Sequence, residues 1–150
     1  MKIVEINPET SHHFDMINRQ WITKYFSMEP IDEEVLTNPF EKIIHPGGTV
    51  LFATEGNEII GTVALKKHSE SIVELTKMGV YEHARNRGAG KILIQAAIDK
   101  AKDMGFTKVI LYSNRKLENA IHLYRKLGFV EFSTCDQLYA RCDIQMEKKL

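Results

Sequence analysis

The sequence predicts a mixed α/β domain: a mostly antiparallel sheet with one parallel crossover. Three observations predict it. Strand-like runs rich in Val, Ile and Thr alternate with helical stretches in the order β-α-α-β-β-β-α-β-α-β-β. Three of those strand runs follow one another without a helix, the signature of hairpins. One strand–helix–strand unit spans residues 72–113 and calls for a right-handed parallel connection. No linker, repeat or low-complexity tract interrupts residues 1–150, so one domain is expected.

Each element has a local cause. "KIVEI" is a first strand, closed by Asn7-Pro8. "SHHFDMINRQWITKYF" places Phe14, Ile17, Trp21, Ile22 and Tyr25 at helical spacing, with Ser11 as the expected cap. "DEEVLTNPFEKII" continues as a second helical stretch, broken at Pro39. "TVLFATE" and "EIIGTVALKK" flank Gly56-Asn57 as a hairpin, and "SIVELTKMGV" is the third strand. The helix in "GAGKILIQAAIDKAKDMG" shows Leu93, Ala97, Ala101 and Met104 on one face and stops at Gly105. "KVILYSN" is a buried strand, "ENAIHLYRKLG" a helix ended by Gly128, and "VEFST" and "CDIQMEK" are final strands.

Composition excludes several classes of function. Twenty Lys plus Arg balance twenty Asp plus Glu, which leaves none of the cationic surplus of a general nucleic-acid binder. The longest apolar runs are far too short to span a bilayer, and neither end carries a targeting signal, so a cytoplasmic protein is expected. Cys135 and Cys142 are too few for a disulfide framework and are expected to be free thiols. The six histidines show no metal-ligand spacing, so no metal is expected.

The stretch that carries chemistry is "RNRGAGK", with Arg85, Arg87, Gly88, Gly90 and Lys91 ahead of a helix. A dinucleotide fingerprint fails because position 93 is Leu, and a P-loop fails because position 85 is Arg and position 92 is Ile. What remains is R-x-x-G-x-G. A helix start offers unpartnered N–H groups and a positive dipole end, and glycine lets a bulky anion approach them.

A second segment, "SNRKLENAIHLYRKLGF", adds the pattern of Asn119, Ala120, Leu123, Tyr124, Gly128 and Phe129. Together with the element order, the two segments resemble the GNAT superfamily of acyl-CoA-dependent N-acyltransferases. The resemblance is strong over residues 59–129 and rests on element type alone elsewhere. It implies helices on both faces of the sheet and acetyl-CoA as co-substrate, in a cleft where the parallel pair of strands splays apart.

The resemblance also implies roles. The backbone of Met78, Gly79 and Val80 would pair with the pantetheine arm, with Gly79 easing a bulge and a Val80 N–H facing the thioester oxygen. The pyrophosphate would rest on the amides from Arg87 through Gly88, Ala89 and Gly90 to Lys91, helped by Arg85. Asn114 ends the second strand of the cleft, and Asn119 would hold the pantetheine amide or cap its helix. Tyr124 is the candidate acid for the leaving thiolate; full proton transfer from a phenol to a thiolate is uphill by roughly 2 kcal/mol in water, so a strengthening hydrogen bond is the expected form of help. Glu74 is the candidate base, since an alkylammonium must lose a proton before it attacks. Strict alternation would put Glu74 on one face with Ile72, Thr76, Met78 and Val80.

The expected activity is acetyl transfer to a primary amine of a small molecule or protein by direct attack in a ternary complex. The alternative is a non-catalytic acyl-CoA-binding module that regulates a partner. Trp21, Tyr25 and Phe26 read as core residues rather than a binding cage, and Tyr139 and Arg141 as weak acceptor-site candidates. A homodimer through exposed last strands is a further expectation.

Overall fold

In a computed structural model of the chain, residues 1–132 and 140–150 are described. Seven strands form one sheet: β1 Lys2–Glu5, β2 Thr49–Glu55, β3 Glu58–Lys67, β4 Ile72–Val80, β5 Lys108–Ser113, β6 Val130–Phe132 and β7 Ile144–Lys149. Their order across the sheet is β1-β2-β3-β4-β5-β7-β6. All neighbours are antiparallel except β4 and β5. β7 is therefore interior, and β6 alone of the last strands forms an edge.

Four helices cover the sheet: α1 Ser11–Tyr25, α2 Pro30–Thr37, α3 Ala89–Asp103 and α4 Glu118–Lys126. Pro39 ends the second helical stretch as expected, and a single wide helical turn, Phe40–Ile44, follows it. Ser11 does not cap α1. Thr10 occupies the cap position, and the Ser11 hydroxyl donates to Pro8 O at 3.2 Å. Pro30 opens α2, where Glu29 and Asp32 form a reciprocal capping pair.

The core has two parts, one on each sheet face. Leu93, Ile94, Ala97, Ile98 and Ala101 of α3 meet Val63, Leu65, Val73, Leu75, Val109 and Leu111. On the other face, Phe14 and Ile22 of α1 and Val35 and Leu36 of α2 meet Val50, Phe52 and Ala64. Burying each such Val, Leu, Ile or Phe side chain stabilises the fold by about 1.5–3 kcal/mol, which fixes which face each strand residue takes.

That assignment exposes a break in β4. Ala64 pairs with Thr76, but Thr62 pairs with Gly79, so two steps on β3 answer three on β4. The extra residue is a β-bulge at Lys77, whose φ of 51° lies in the left-handed region. Strict alternation therefore fails. Glu74, Thr76, Lys77 and Gly79 face α1 and α2, whereas Met78 and Val80 face α3 and α4. Gly79 does not form the bulge. A side chain there would meet Trp21 Cδ1 at 2.7 Å and Ile17 Cγ2 at 2.9 Å, so its role is to let α1 lie close to the strand.

Candidate functional site

The pairing of β4 with β5 stops early. Only Ile72, Val73 and Glu74 find partners, opposite Lys108, Val109 and Ile110. Both strands continue past that point, β4 to Val80 and β5 to Ser113. The gap between them opens a cleft of about 730 Å³. Tyr81 N donates to Ile60 O on β3, so alternation turns the Val80 N–H away from β3 and toward the gap. A backbone donor is thus aimed where β5 has left.

At one end of the cleft lies the start of α3. Gly88 takes the position before the helix with φ of 83°, and nothing lies within 4 Å of where a side chain would project. The amides of Ala89, Gly90 and Lys91 begin the helix and lack the partner that a preceding turn would supply. Arg85, Gly88, Ala89, Gly90 and Lys91 all line the cleft. Arg85 Nη1 lies 3.4 Å from the Tyr25 hydroxyl. Arg87 points elsewhere: its guanidinium binds Glu55 at 2.7 Å and His83 O at 3.2 Å.

The opposite wall comes from β5 and α4. Asn114 lines the cleft while its amide binds Arg141 O at 2.6 Å and its Oδ1 accepts from Lys116 N at 2.8 Å. This side chain ties the end of β5 to the approach to β7. Asn119 also lines the cleft. It lies inside α4, whose cap position is Leu117, so it does not cap the helix. Tyr124 is 6% exposed, with its ring edge-on to Phe129 and its hydroxyl 4.0 Å from Met78 Sδ. Burial pushes the phenol upward from its ordinary range, so it stays protonated across neutral pH.

Glu74 is placed differently from the others. It is 2% exposed and does not border the cleft; its Oε1 lies 2.7 Å from His68 Nε2 on the turn after β3. His68 is one-third exposed at its side chain, so the pair connects a buried carboxylate to solvent. No motif announces this pairing, because His68 lies in a loop six residues away.

Three aromatic residues read as core border the cleft instead: Trp21, Tyr25 and Phe26. Trp21 anchors through Nε1 to Asn18 Oδ1 at 2.9 Å, and Lys116 and Arg141 lie over the Phe26 and Trp21 rings. A helical stripe reports that a face is covered and not whether protein or ligand covers it. Tyr112 joins them from β5. Tyr139 and Cys135 lie outside the described residues. Cys142 is disulfide-bonded, which corrects the expectation of a free thiol at that position.

Behind this wall is a buried charge cluster. Asp32 of α2, fully buried, accepts from Lys77 Nζ at 2.9 Å and from both terminal nitrogens of Arg141 at 2.7 and 2.8 Å. Arg141 also reaches Glu29 at 3.0 Å. Burial acts to raise the Asp32 pKa, but Arg141, Lys77 and the Glu29 amide outweigh it and bring the carboxyl to about 2. The cluster joins α2, the β4 bulge and the segment before β7, and no sequence signal connects these three positions.

Among the described residues, no group of three His, Cys, Asp or Glu side chains could hold a metal ion, and no helix is long and apolar enough to cross a membrane.

Comparison with known proteins gives a consistent result. The model of the acetyltransferase (GNAT) family matches residues 14–129. Mycothiol acetyltransferase of Corynebacterium efficiens is 35% identical over 80 residues, which is 53% of this chain and 27% of that protein. The uncharacterized N-acetyltransferase YvbK of Bacillus subtilis is 30% identical over 104 residues, 67% of each chain. An acetyltransferase of the GNAT family from Staphylococcus aureus superposes with a TM-score of 0.87 at 20% identity, covering 99% of this chain and 98% of that one. A phosphinothricin acetyltransferase of Sinorhizobium meliloti, solved in complex with AcCoA, superposes with a TM-score of 0.81 at 20% identity, over 99% and 88% of the two chains.

Proposed function

The chain belongs to the acetyltransferase (GNAT) family, and on that premise we propose that it transfers an acetyl group from acetyl-CoA to a primary amine by direct attack. One observation carries the reading: the early end of the β4–β5 pairing puts a backbone donor, an anion-ready helix start and a buried tyrosine around one cleft.

The residues present fit the co-substrate. The open space at Gly88 and the amides of Ala89, Gly90 and Lys91 suit a pyrophosphate, with Arg85 adding charge. Met78, Gly79 and Val80 offer a strand edge to an extended amide-bearing arm, and Asn114 and Asn119 flank its other side. Arg87 contributes through its backbone, since its side chain is held by Glu55. Acetyl-CoA supplies an activated thioester. Val80 N–H would hold the thioester oxygen as negative charge develops there. Tyr124 would donate a hydrogen bond to the departing sulfur, which then carries the electron pair of the broken C–S bond. Glu74, through water, would take the proton that the amine loses, and His68 would pass it toward solvent.

The deciding experiment is thiol release from acetyl-CoA across a panel of amines and peptides. Release that depends on an amine supports transfer. Coenzyme binding with no amine-dependent release would mark a non-catalytic acyl-CoA-binding module instead. The curated mycothiol acetyltransferases are several times longer than the stretch this chain matches, so their acceptor does not carry over by length alone.

Two expected outcomes belong here. Gly88→Val should raise the KM for acetyl-CoA at least tenfold, because the new side chain would enter the open approach to the helix start. A β-branched residue at φ of 83° should also destabilise the fold by about 1–2 kcal/mol. An unchanged KM in a folded variant would remove the loop from the coenzyme site. Glu74→Gln should lower kcat for amine-dependent thiol release by about 10²–10⁴-fold. Turnover equal to that of the wild type would assign proton removal to another group.

A further inference from the structure

The cleft holds more positive charge than the transfer chemistry above has used. Among the described residues, five cations line it, Lys77, Arg85, Lys91, Lys116 and Arg141, against one carboxylate, Glu118. Two of the five are neutralised, because Asp32 pairs with Lys77 and Arg141, and Glu29 with Arg141. Arg85 and Lys91 flank the start of α3, the pyrophosphate end of the cleft. Glu118 stands in the first turn of α4, where a helix N-terminus favours a negative charge. Lys116 is left over. It lies in the turn from β5 to α4, and its exposed side chain crosses to the end of α1. There its Nζ lies 3.5 Å from Tyr25 O and 5.2 Å from the centre of the Phe26 ring, and among the described residues no carboxylate pairs with it. An aromatic floor joins this cation to the reacting strand. A side chain at Gly79 would meet Trp21 Cδ1 at 2.7 Å, so the indole lies against the backbone beside Val80. The Phe26 ring stands edge-on to Trp21, with centroids 6.3 Å apart. Trp21, Phe26 and Lys116 all border the cleft, so an apolar path runs within it from the donor strand to the Lys116 ammonium.

We propose that Lys116 selects the acceptor: a primary amine whose far end carries a carboxylate, with an apolar stretch between the two lying along Trp21 and Phe26. The inference rests on the transfer reading above and deepens it. In that reading the thioester oxygen sits at the Val80 N–H, so the amine enters beside Gly79 and Trp21. The Lys116 ammonium has three N–H donors and directs one, at long range, toward Tyr25 O. The others can meet a carboxylate oxygen. One uncompensated positive charge matches the single negative charge of a carboxylate. A polyamine or a lysine-rich peptide would instead bring like charges to a wall of cations, with Glu118 alone among the described lining residues to answer them.

The test measures amine-dependent thiol release for ω-amino carboxylic acids of increasing chain length, for the matching ω-amino amides and for a polyamine. Wild type is compared with Lys116→Met and Lys116→Arg. Wild type should favour the acids through a lower acceptor KM. Lys116→Met keeps the stem and removes the charge. It should raise the KM for the acids by roughly five- to tenfold, between the effect of a screened surface pair and that of a sheltered charged hydrogen bond. The kcat, the KM for the amides and the KM for acetyl-CoA should each change by less than about twofold. Following each compound across the variants cancels differences in amine basicity. Lys116→Arg should keep the preference for acids. The thermal midpoint should hold in both variants, because Lys116 is exposed and has no carboxylate partner to lose among the described residues. Equal changes for acids and amides in Lys116→Met would overturn the proposal while leaving the transfer reading intact, as would a wild type that prefers the amides or the polyamine. A rise in the KM for acetyl-CoA alone would overturn it by making Lys116 a ligand of the coenzyme phosphates. A wild type that binds acetyl-CoA and releases no thiol with any amine would overturn the transfer reading itself, and this assignment with it.

Discussion

Replacing Asp32 with Asn is expected to lower the free energy of unfolding by about 3–5 kcal/mol, the cost of removing one partner from a buried charge cluster. The amide keeps the shape of the side chain and can still accept the Glu29 N–H that it now holds at 2.9 Å. What it removes is the negative charge shared by Lys77 and Arg141. Lys77 is itself held down in pKa by burial, against the pull of Asp32, so it depends on that charge to stay ionised. Its left-handed backbone adds strain that the ion pair holds in place. Urea unfolding at pH 7 measures the effect.

The pH dependence has a definite sign. The folded pKa of Asp32, about 2, lies below its ordinary value of 3.8. A depressed carboxyl stabilises the fold above the unfolded pKa and loses that contribution as pH falls through the folded one. The gap between wild type and Asp32→Asn should therefore be constant from pH 5 to 8 and close between roughly pH 4 and 2. A gap below 1 kcal/mol at pH 7, or one indifferent to acid, would show that the cluster is not what holds α2 to the bulge. The double change Asp32→Leu with Lys77→Met should recover much of the loss, since apolar replacement of a whole buried pair is often neutral.

Tyr124→Phe is expected to lower kcat by about 10²–10³-fold with little change in the KM for acetyl-CoA. The hydroxyl is the only group removed, and its one described contact is the distant Met78 sulfur, so the fold should lose less than about 1 kcal/mol. Because burial raises the phenol above its usual range, the loss should be uniform from pH 6 to 9. A variant with normal turnover would mean that the thiolate leaves without help from α4. A rise in KM alone would make Tyr124 a wall of the cleft.

Much of this architecture was legible in the chain, for reasons that can be named. Gly105 and Gly128, at φ of 91° and 99°, end α3 and α4 where the sequence places the stops. The turn at Gly56-Asn57 and the break at Pro39 follow from residues with narrow conformational choices. The site was legible where it depended on backbone: the R-x-x-G-x-G loop and the start of α3 coincide. It was illegible where it depended on parity or distance. Lys77 is an ordinary residue in a strand-like run, and nothing in "ELTKMGV" announces that it would take a left-handed turn. The bulge then reversed the face of every residue after it, which placed Met78 and Val80 opposite Glu74. Asp32, Lys77 and Arg141 meet across more than a hundred positions of chain, so only folding could bring them together. The aromatic residues of α1 were only half legible: Trp21 packs against the core and also borders the cleft, and a cleft and a core demand the same spacing.

The short β4–β5 pairing has a mechanical meaning as well. The strands from β1 to β4 form one panel and β5, β7 and β6 form another, and between strands the panels are joined by a clasp of three residue pairs, with α3 as the strap. Everything beyond Glu74 is an unzipped seam in the middle of the sheet. A guest that laid an extended chain along that seam would act as a missing strand and complete the weave. Occupancy would then tie together, along the whole seam, two panels whose strands otherwise pair only at the clasp.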